Sequence, residues 1–224
     1  HTPTTPPPNK IGCNSSSMAP PLSGKVLGPA AVALFGAMAA WGMTRTGAVE
    51  GKYPLQASED VMSKKAHGTC ATPVQENLRW GVDRDVADRI CCFNRHYAEH
   101  SGYWLKTKFL TEVDKTGETT YYDSVDGKPL FIAPRGRTFE QFKAESSSHG
   151  WPSFRDEEVV WENMRCLPNG EAISLAGTHL GHNLPDGKGN RYCINLVSVA
   201  GNPTNATAAE GAAAGELGGK DASL

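Results

Sequence analysis

A mainly β domain, preceded by one apolar segment of bilayer-spanning length, is the fold class this sequence predicts. Three observations predict it. Short apolar runs separated by turn residues recur between Tyr121 and Val199. A charge-free stretch, Val26 to Thr44, is bracketed by Lys25 and Arg45. Both ends have compositions that cannot bury enough apolar surface to fold alone. With 224 residues, the economical arrangement is one domain with extensions. The formal net charge of −2 leaves no electrostatic footprint for nucleic acid, which is excluded as a partner.

Residues 1–24, rich in Pro, Ser, Thr and Asn, are predicted to be a disordered or extended tail. The segment 25–45 is predicted as a transmembrane helix. Its apolar run reaches 19 residues by way of six alanines and three glycines, small residues that suit close helix packing in a bilayer, and Trp41 fits an interfacial anchor. Residues 46–84 are mixed and polar with few periodic signals, and are predicted to be a linker. The domain is placed at 85–200. It opens on an amphipathic helix capped by Asp85, with Val86, Ile90, Phe93 and Tyr97 spaced four, three and four apart, ending near Gly102.

Beyond that helix the pattern turns to strands. Tyr121-Tyr122 and Leu130-Phe131-Ile132 flank the turn signal Asp126-Gly127, which predicts a hairpin. Further strands are expected at Ala172–Leu175 and Arg191–Val199. The Ala- and Gly-rich end, 201–224, is predicted to be a flexible tail or to lie along a partner. Six cysteines, at 13, 70, 91, 92, 166 and 193, include no C-x-x-C pair and are spread too widely for a small disulfide scaffold. The adjacent Cys91 and Cys92 fall in the helical stretch, where they are expected to be buried apolar thiols, with a redox role for the pair as the alternative.

Chemistry is concentrated in three motifs. Period two places Arg191, Cys193 and Asn195 on one strand face, a thiol between a cation and an amide, and a positive neighbour favours the reactive thiolate. Upstream, His179-Leu180-Gly181-His182 supplies two imidazoles that titrate near neutrality, and Asp186 follows. His149-Gly150-Trp151-Pro152-Ser153-Phe154 sets two aromatic rings about a proline-fixed turn, suited to the wall of a pocket for a small apolar group.

Gly-Trp-Pro-Ser-Phe (150–154), then His-Leu-Gly-His (179–182), then Arg-Tyr-Cys-Ile-Asn (191–195), with Ser101-Gly102-Tyr103 ahead of them, resembles the signature of type B methionine sulfoxide reductases over about half of the chain. The resemblance implies two antiparallel sheets flanked by short helices. It implies catalytic roles for Cys193, His179, His182, Asp186, Arg191 and Asn195, and substrate binding by Trp151, with Phe154 beside it. It further implies a sulfenic acid intermediate, an oxidised protein substrate and an external, thioredoxin-like thiol reductant, with no bound cofactor.

The sequence departs from that family in four places. Where many members hold zinc with two C-x-x-C pairs, this chain has Asp123, Asp126, Ile173 and Ala176, and no metal is expected, because two of these side chains offer no donor atom. The stretch Gly187–Asn190 is about four residues shorter than the family's loop. His149 stands where some members place a recycling cysteine, which leaves Cys166, a more distant cysteine or an external thiol as the candidates for the resolving thiol. Asn183-Leu184 replaces an apolar residue followed by an aromatic one. Two functions are therefore expected from different classes. One is a membrane-tethered reductase of methionine-R-sulfoxide in an organellar membrane of thylakoid type. The other is a non-catalytic accessory subunit of a photosynthetic membrane complex built on the same fold.

Overall fold

The computed structural model describes residues 53–204, and these form a mainly β domain with two antiparallel sheets. The tail 1–24, the apolar segment 25–45 and all but the first four residues of the tail 201–224 lie outside the described residues. Among the described residues, no helix is long and apolar enough to cross a membrane.

The segment read as a linker, 46–84, is instead part of the domain from Tyr53 onward. Met62, Cys70, Val74, Trp80 and Val82 are all buried, and Cys70 is joined to Cys92 by a disulfide across 22 positions. The sequence hid this because the buried residues recur at neither a helical nor a strand period. The segment is held by turns and side-chain bonds, such as Lys65 Nζ to the carbonyls of Val61 (2.6 Å) and Thr69 (2.8 Å), rather than by a repeating face. The disulfide also corrects the reading of Cys91 and Cys92 as two free thiols, since only Cys91 remains free and buried. Closing a loop of this length restricts the unfolded chain by about 3 kcal/mol. Replacing both Cys70 and Cys92 by alanine is expected to lower unfolding stability by about that amount, measured by urea denaturation.

The first helix, α1 (Arg84–Asp88), begins at Asp83 rather than Asp85, with the Asp83 carboxylate accepting the Val86 N–H. It continues as a π-helical turn, Arg89–Phe93, and ends there rather than near Gly102. The wider turn carries Phe93 off the apolar stripe, and Tyr97 lies beyond the end of the helix. Ala87, Ile90, Cys91 and Cys92 are buried, whereas Phe93 and Tyr97 are each 57 % exposed.

A short helix α2 (Phe109–Glu112) leads into the hairpin of β1 (Thr119–Tyr122) and β2 (Pro129–Ala133), centred where Asp126-Gly127 predicted it. Helix α3 (Phe139–His149) follows. It starts on a capping box between Thr138 and Gln141 and stops at Gly150, whose φ of 92° favours glycine. Its buried face, Phe139 and Phe142, meets Tyr121, Phe131 and Phe154 to form an aromatic core between the two sheets.

The larger sheet contains β3 (Ser153–Phe154), β4 (Met164–Cys166), β5 (Glu171–Ser174), β6 (His179–Asn183) and β7 (Tyr192–Ile194), in the order β3-β7-β6-β5-β4. The strand predicted for 191–199 is cut short at Ile194. Leu196, Val197, Ser198 and Val199 are all fully buried, so no solvent face remains to sustain alternation, and the chain turns there through a 3-10 helix, Leu196–Ser198.

Candidate active site

Strand pairing assembles the site. Cys193 on β7 lies directly opposite Ser153 on β3 and His182 on β6, and His182 lies opposite Glu171 on β5. His179 and His182 are three apart, which in a regular strand would send them to opposite faces. A bulge removes the conflict: Gly181 and His179 pair with the consecutive residues Ala172 and Ile173, so Leu180 is the extra residue. The two imidazoles come together with ring centres 5.9 Å apart. Gly181 is required at the crossing, since a Cβ there would sit 2.1 Å from the Cys193 carbonyl oxygen.

Cys193, His179, His182, Asn195 and Trp151 thus line one cleft of about 310 Å³, whose far wall is the segment Arg95–Ala98. Cys193 is the partly exposed free thiol among the described residues, Cys91 and Cys166 being buried. Burial pushes its thiol above the ordinary value, and the Arg191 guanidinium beside it works in the opposite direction without prevailing. The expectation that Arg191 tips the balance to thiolate is corrected to that extent. His182 is held below its usual value by burial and by the neighbouring His179.

His179 is oriented by two residues that sequence reasoning missed. Its Nδ1 bonds to the Glu171 carboxylate at 2.8 Å, which leaves Nε2 as the remaining ring nitrogen. Arg95 clamps the same carboxylate through Nε (3.0 Å) and Nη2 (2.6 Å), and also pairs with Glu59. Burial would raise Glu171, but the bonds and charges of His179 and Arg95 outweigh it and hold the carboxyl at about 2. The available signal was an acidic residue opening an otherwise apolar strand, Glu171-Ala172-Ile173-Ser174.

Four of the expected site residues stand elsewhere. Asp186 does not line the cleft. It pairs with Arg155 at 2.9 Å and with Arg191 at 3.4 Å, so any influence on the thiol passes through Arg191. Arg191 is buried beside the thiol rather than among the residues lining the cleft. Phe154 is fully buried in the aromatic core, stacked on Phe131 at 4.2 Å, because the strand that turns Ser153 toward Cys193 turns Phe154 away. Cys166 is on β4, three strands from β7, and pairs with Ala172, whose alternation with Glu171 puts it on the opposite face from His182 and Cys193. Burial raises its thiol to about 12, and a role as resolving thiol conflicts with both facts.

The positions corresponding to the family's zinc ligands do not fit a tetrahedral ion. Ile173 is packed against Met62 and Leu167. Both oxygens of Asp123 accept from the Thr178 hydroxyl at 2.9 Å, and Oδ1 also takes the Val125 N–H, so the carboxylate serves as a buried latch, raised by burial to about 6. Elsewhere, His67, Asp88 and Cys92 lie within 4.8 Å of one another. There the Cys92 sulfur is bonded to Cys70 and the imidazole to Asp88 (2.8 Å), an arrangement complete without an ion.

Fold and cleft together define a cysteine-centred site on an antiparallel sheet, with an imidazole pair and an indole around the sulfur. No family model matches the chain. The chain is 34 % identical over 154 residues to methionine-R-sulfoxide reductase B3, mitochondrial, of Mus musculus. The match covers 60 % of this chain and 54 % of the mouse protein, so the chain spans about half the length of that curated relative.

Proposed function

We propose that this domain is a peptide-methionine (R)-S-oxide reductase acting through Cys193. The observation that carries the reading is the register that sets Cys193 opposite His182 in a cleft closed by Trp151 and His179. Likeness to the mouse reductase supports it. The Cys193 thiolate attacks the sulfoxide sulfur while the imidazole pair delivers a proton to its oxygen. That attack joins the two sulfurs; the protonated oxygen then shifts from the substrate sulfur to the Cys193 sulfur as the sulfur–sulfur bond and the substrate's sulfur–oxygen bond break, which releases methionine and leaves Cys193 as a sulfenic acid. A thiol then displaces water to give a mixed disulfide, and a second thiol releases Cys193. The sum is sulfoxide plus two thiols giving methionine, a disulfide and water.

Among the described residues Cys91 and Cys166 are buried and Cys70 and Cys92 are already bonded, which supports an external thioredoxin-like dithiol as the reductant for an oxidised protein substrate. Attachment to an organellar membrane through residues 25–45 is a proposal supported by the charge-free run of the sequence alone. Incubating the full chain with separated R- and S-sulfoxides of a methionine peptide and dithiothreitol tests the activity, with product followed by chromatography. Loss of the R form alone is expected. Persistence of both would favour the accessory-subunit reading instead.

A further inference from the structure

Glu99 is 4 % exposed and stands behind the cleft, unused by the chemistry above. Its side chain accepts two backbone N–H groups, Leu196 at 2.6 Å through Oε1 and Val197 at 3.2 Å through Oε2, at the turn immediately after the Cys193 strand. Its main chain reaches the cleft lining itself. The Glu99 carbonyl accepts the Trp151 indole N–H at 3.0 Å, and its own N–H donates to Asn195 Oδ1 at 3.3 Å. Asn195 in turn binds the Leu180 carbonyl through Nδ2 (3.1 Å) and through its backbone N–H (2.8 Å), fastening the same point to the histidine strand. One residue is therefore bonded both to the indole wall and to the turn that anchors the thiol strand.

A carboxyl is a costly way to cap a buried turn. Burial raises Glu99 to about 7 against the pull of the two N–H groups, and its charge opposes thiolate formation at Cys193. What the carboxyl supplies is two divergent acceptors on a side chain long enough to reach Leu196 and Val197 while residue 99 stays beside Trp151.

We propose that Glu99 is a positioning residue that fixes the separation between the Trp151 ring and the Cys193 sulfur, and with it the seat of the substrate methyl group. The role of this seat rests on the reductase reading; the tether between Glu99 and the two walls does not. Displacement of a wall by about 1 Å costs on the order of 10²-fold in kcat/KM when it misplaces the reacting atoms.

The test compares the full chain with Glu99→Ala, Glu99→Asp and Glu99→Gln in two measurements. The first is kcat and KM for a methionine-R-sulfoxide peptide with dithiothreitol. The second is the water-exchange rate of the Trp151 indole hydrogen by NMR, its signal assigned with Trp151→Phe. Glu99→Ala is expected to raise KM about tenfold or more and to speed indole exchange by a similar factor. Glu99→Asp, one methylene shorter, should show both effects in smaller measure. Glu99→Gln keeps the reach and an acceptor for the Leu196 N–H but turns an amide N–H toward the Val197 N–H, and both measurements should fall between those of wild type and Glu99→Ala. If Glu99→Ala does not fold, the aspartate variant decides. Folded variants with unchanged KM and unchanged exchange would overturn the proposal. A wild-type chain that reduces no sulfoxide would sink the reductase reading, and the indole exchange would still report whether Glu99 holds Trp151.

Discussion

Replacing Cys193 by serine is expected to lower kcat/KM for a methionine-R-sulfoxide peptide by on the order of 10³-fold or more, with dithiothreitol in excess. A hydroxyl is close in size to a thiol but stays protonated near neutrality, so it offers no anion to attack sulfur. Cys193 is only half-buried, and its strand is held by backbone bonds that the substitution does not touch, among them Ile194 N–H to the Pro152 carbonyl at 2.9 Å. The thermal midpoint of the variant should therefore match that of the wild type. Equal rates for the two proteins would assign any observed reduction to the reagent rather than to the cleft.

Phe154→Ala carries the largest expected effect on stability, about 3–5 kcal/mol. The ring is fully buried, stacked on Phe131, edge-on to Tyr121 with ring centres 4.9 Å apart and tilted against Phe142 at 5.4 Å. Truncation leaves a void bounded by both sheets and by α3, elements too well anchored to collapse into it. Urea denaturation of the two proteins measures the loss. A drop below 1 kcal/mol accompanied by a raised KM would instead restore Phe154 to the substrate pocket.

Where the sequence was legible, a local signal coincided with a local cause. Asp126-Gly127 marked the hairpin because that loop uses the Asp126 side chain to bind the Lys128 N–H and glycine for a φ of 72°. His179, His182, Cys193 and Trp151 were found because their short motifs lie on neighbouring strands or the turn beside them. Long-range causes were hidden. Nothing near Cys70 says that its partner is Cys92, and nothing near Glu99 says that its carboxyl will cap Leu196, 97 positions away. Phe154 was assigned to the site by its place in the Trp151 motif, and Cys166 as one of the thiols left to partner Cys193. A one-residue step along a strand reverses the face, and a bulge reverses it again, so proximity in sequence could not decide which side of the sheet each occupies.

The segment ahead of α1 also covers one margin of the larger sheet. Leu55 and Ala57 exchange backbone hydrogen bonds with Cys166 at 2.9 and 3.0 Å, so a short stretch of chain lies along the outer side of β4. Tyr53, stacked on Trp161 at 4.7 Å, helps to fasten it. At the other margin β3 has only two residues, and the Ser153 carbonyl is taken by Arg137 Nη2 at 2.7 Å. Unpaired strand margins are templates for adding a further strand from another molecule. A chain shortened past Ala57 would present the β4 margin bare, and its first failing would be self-association through that margin.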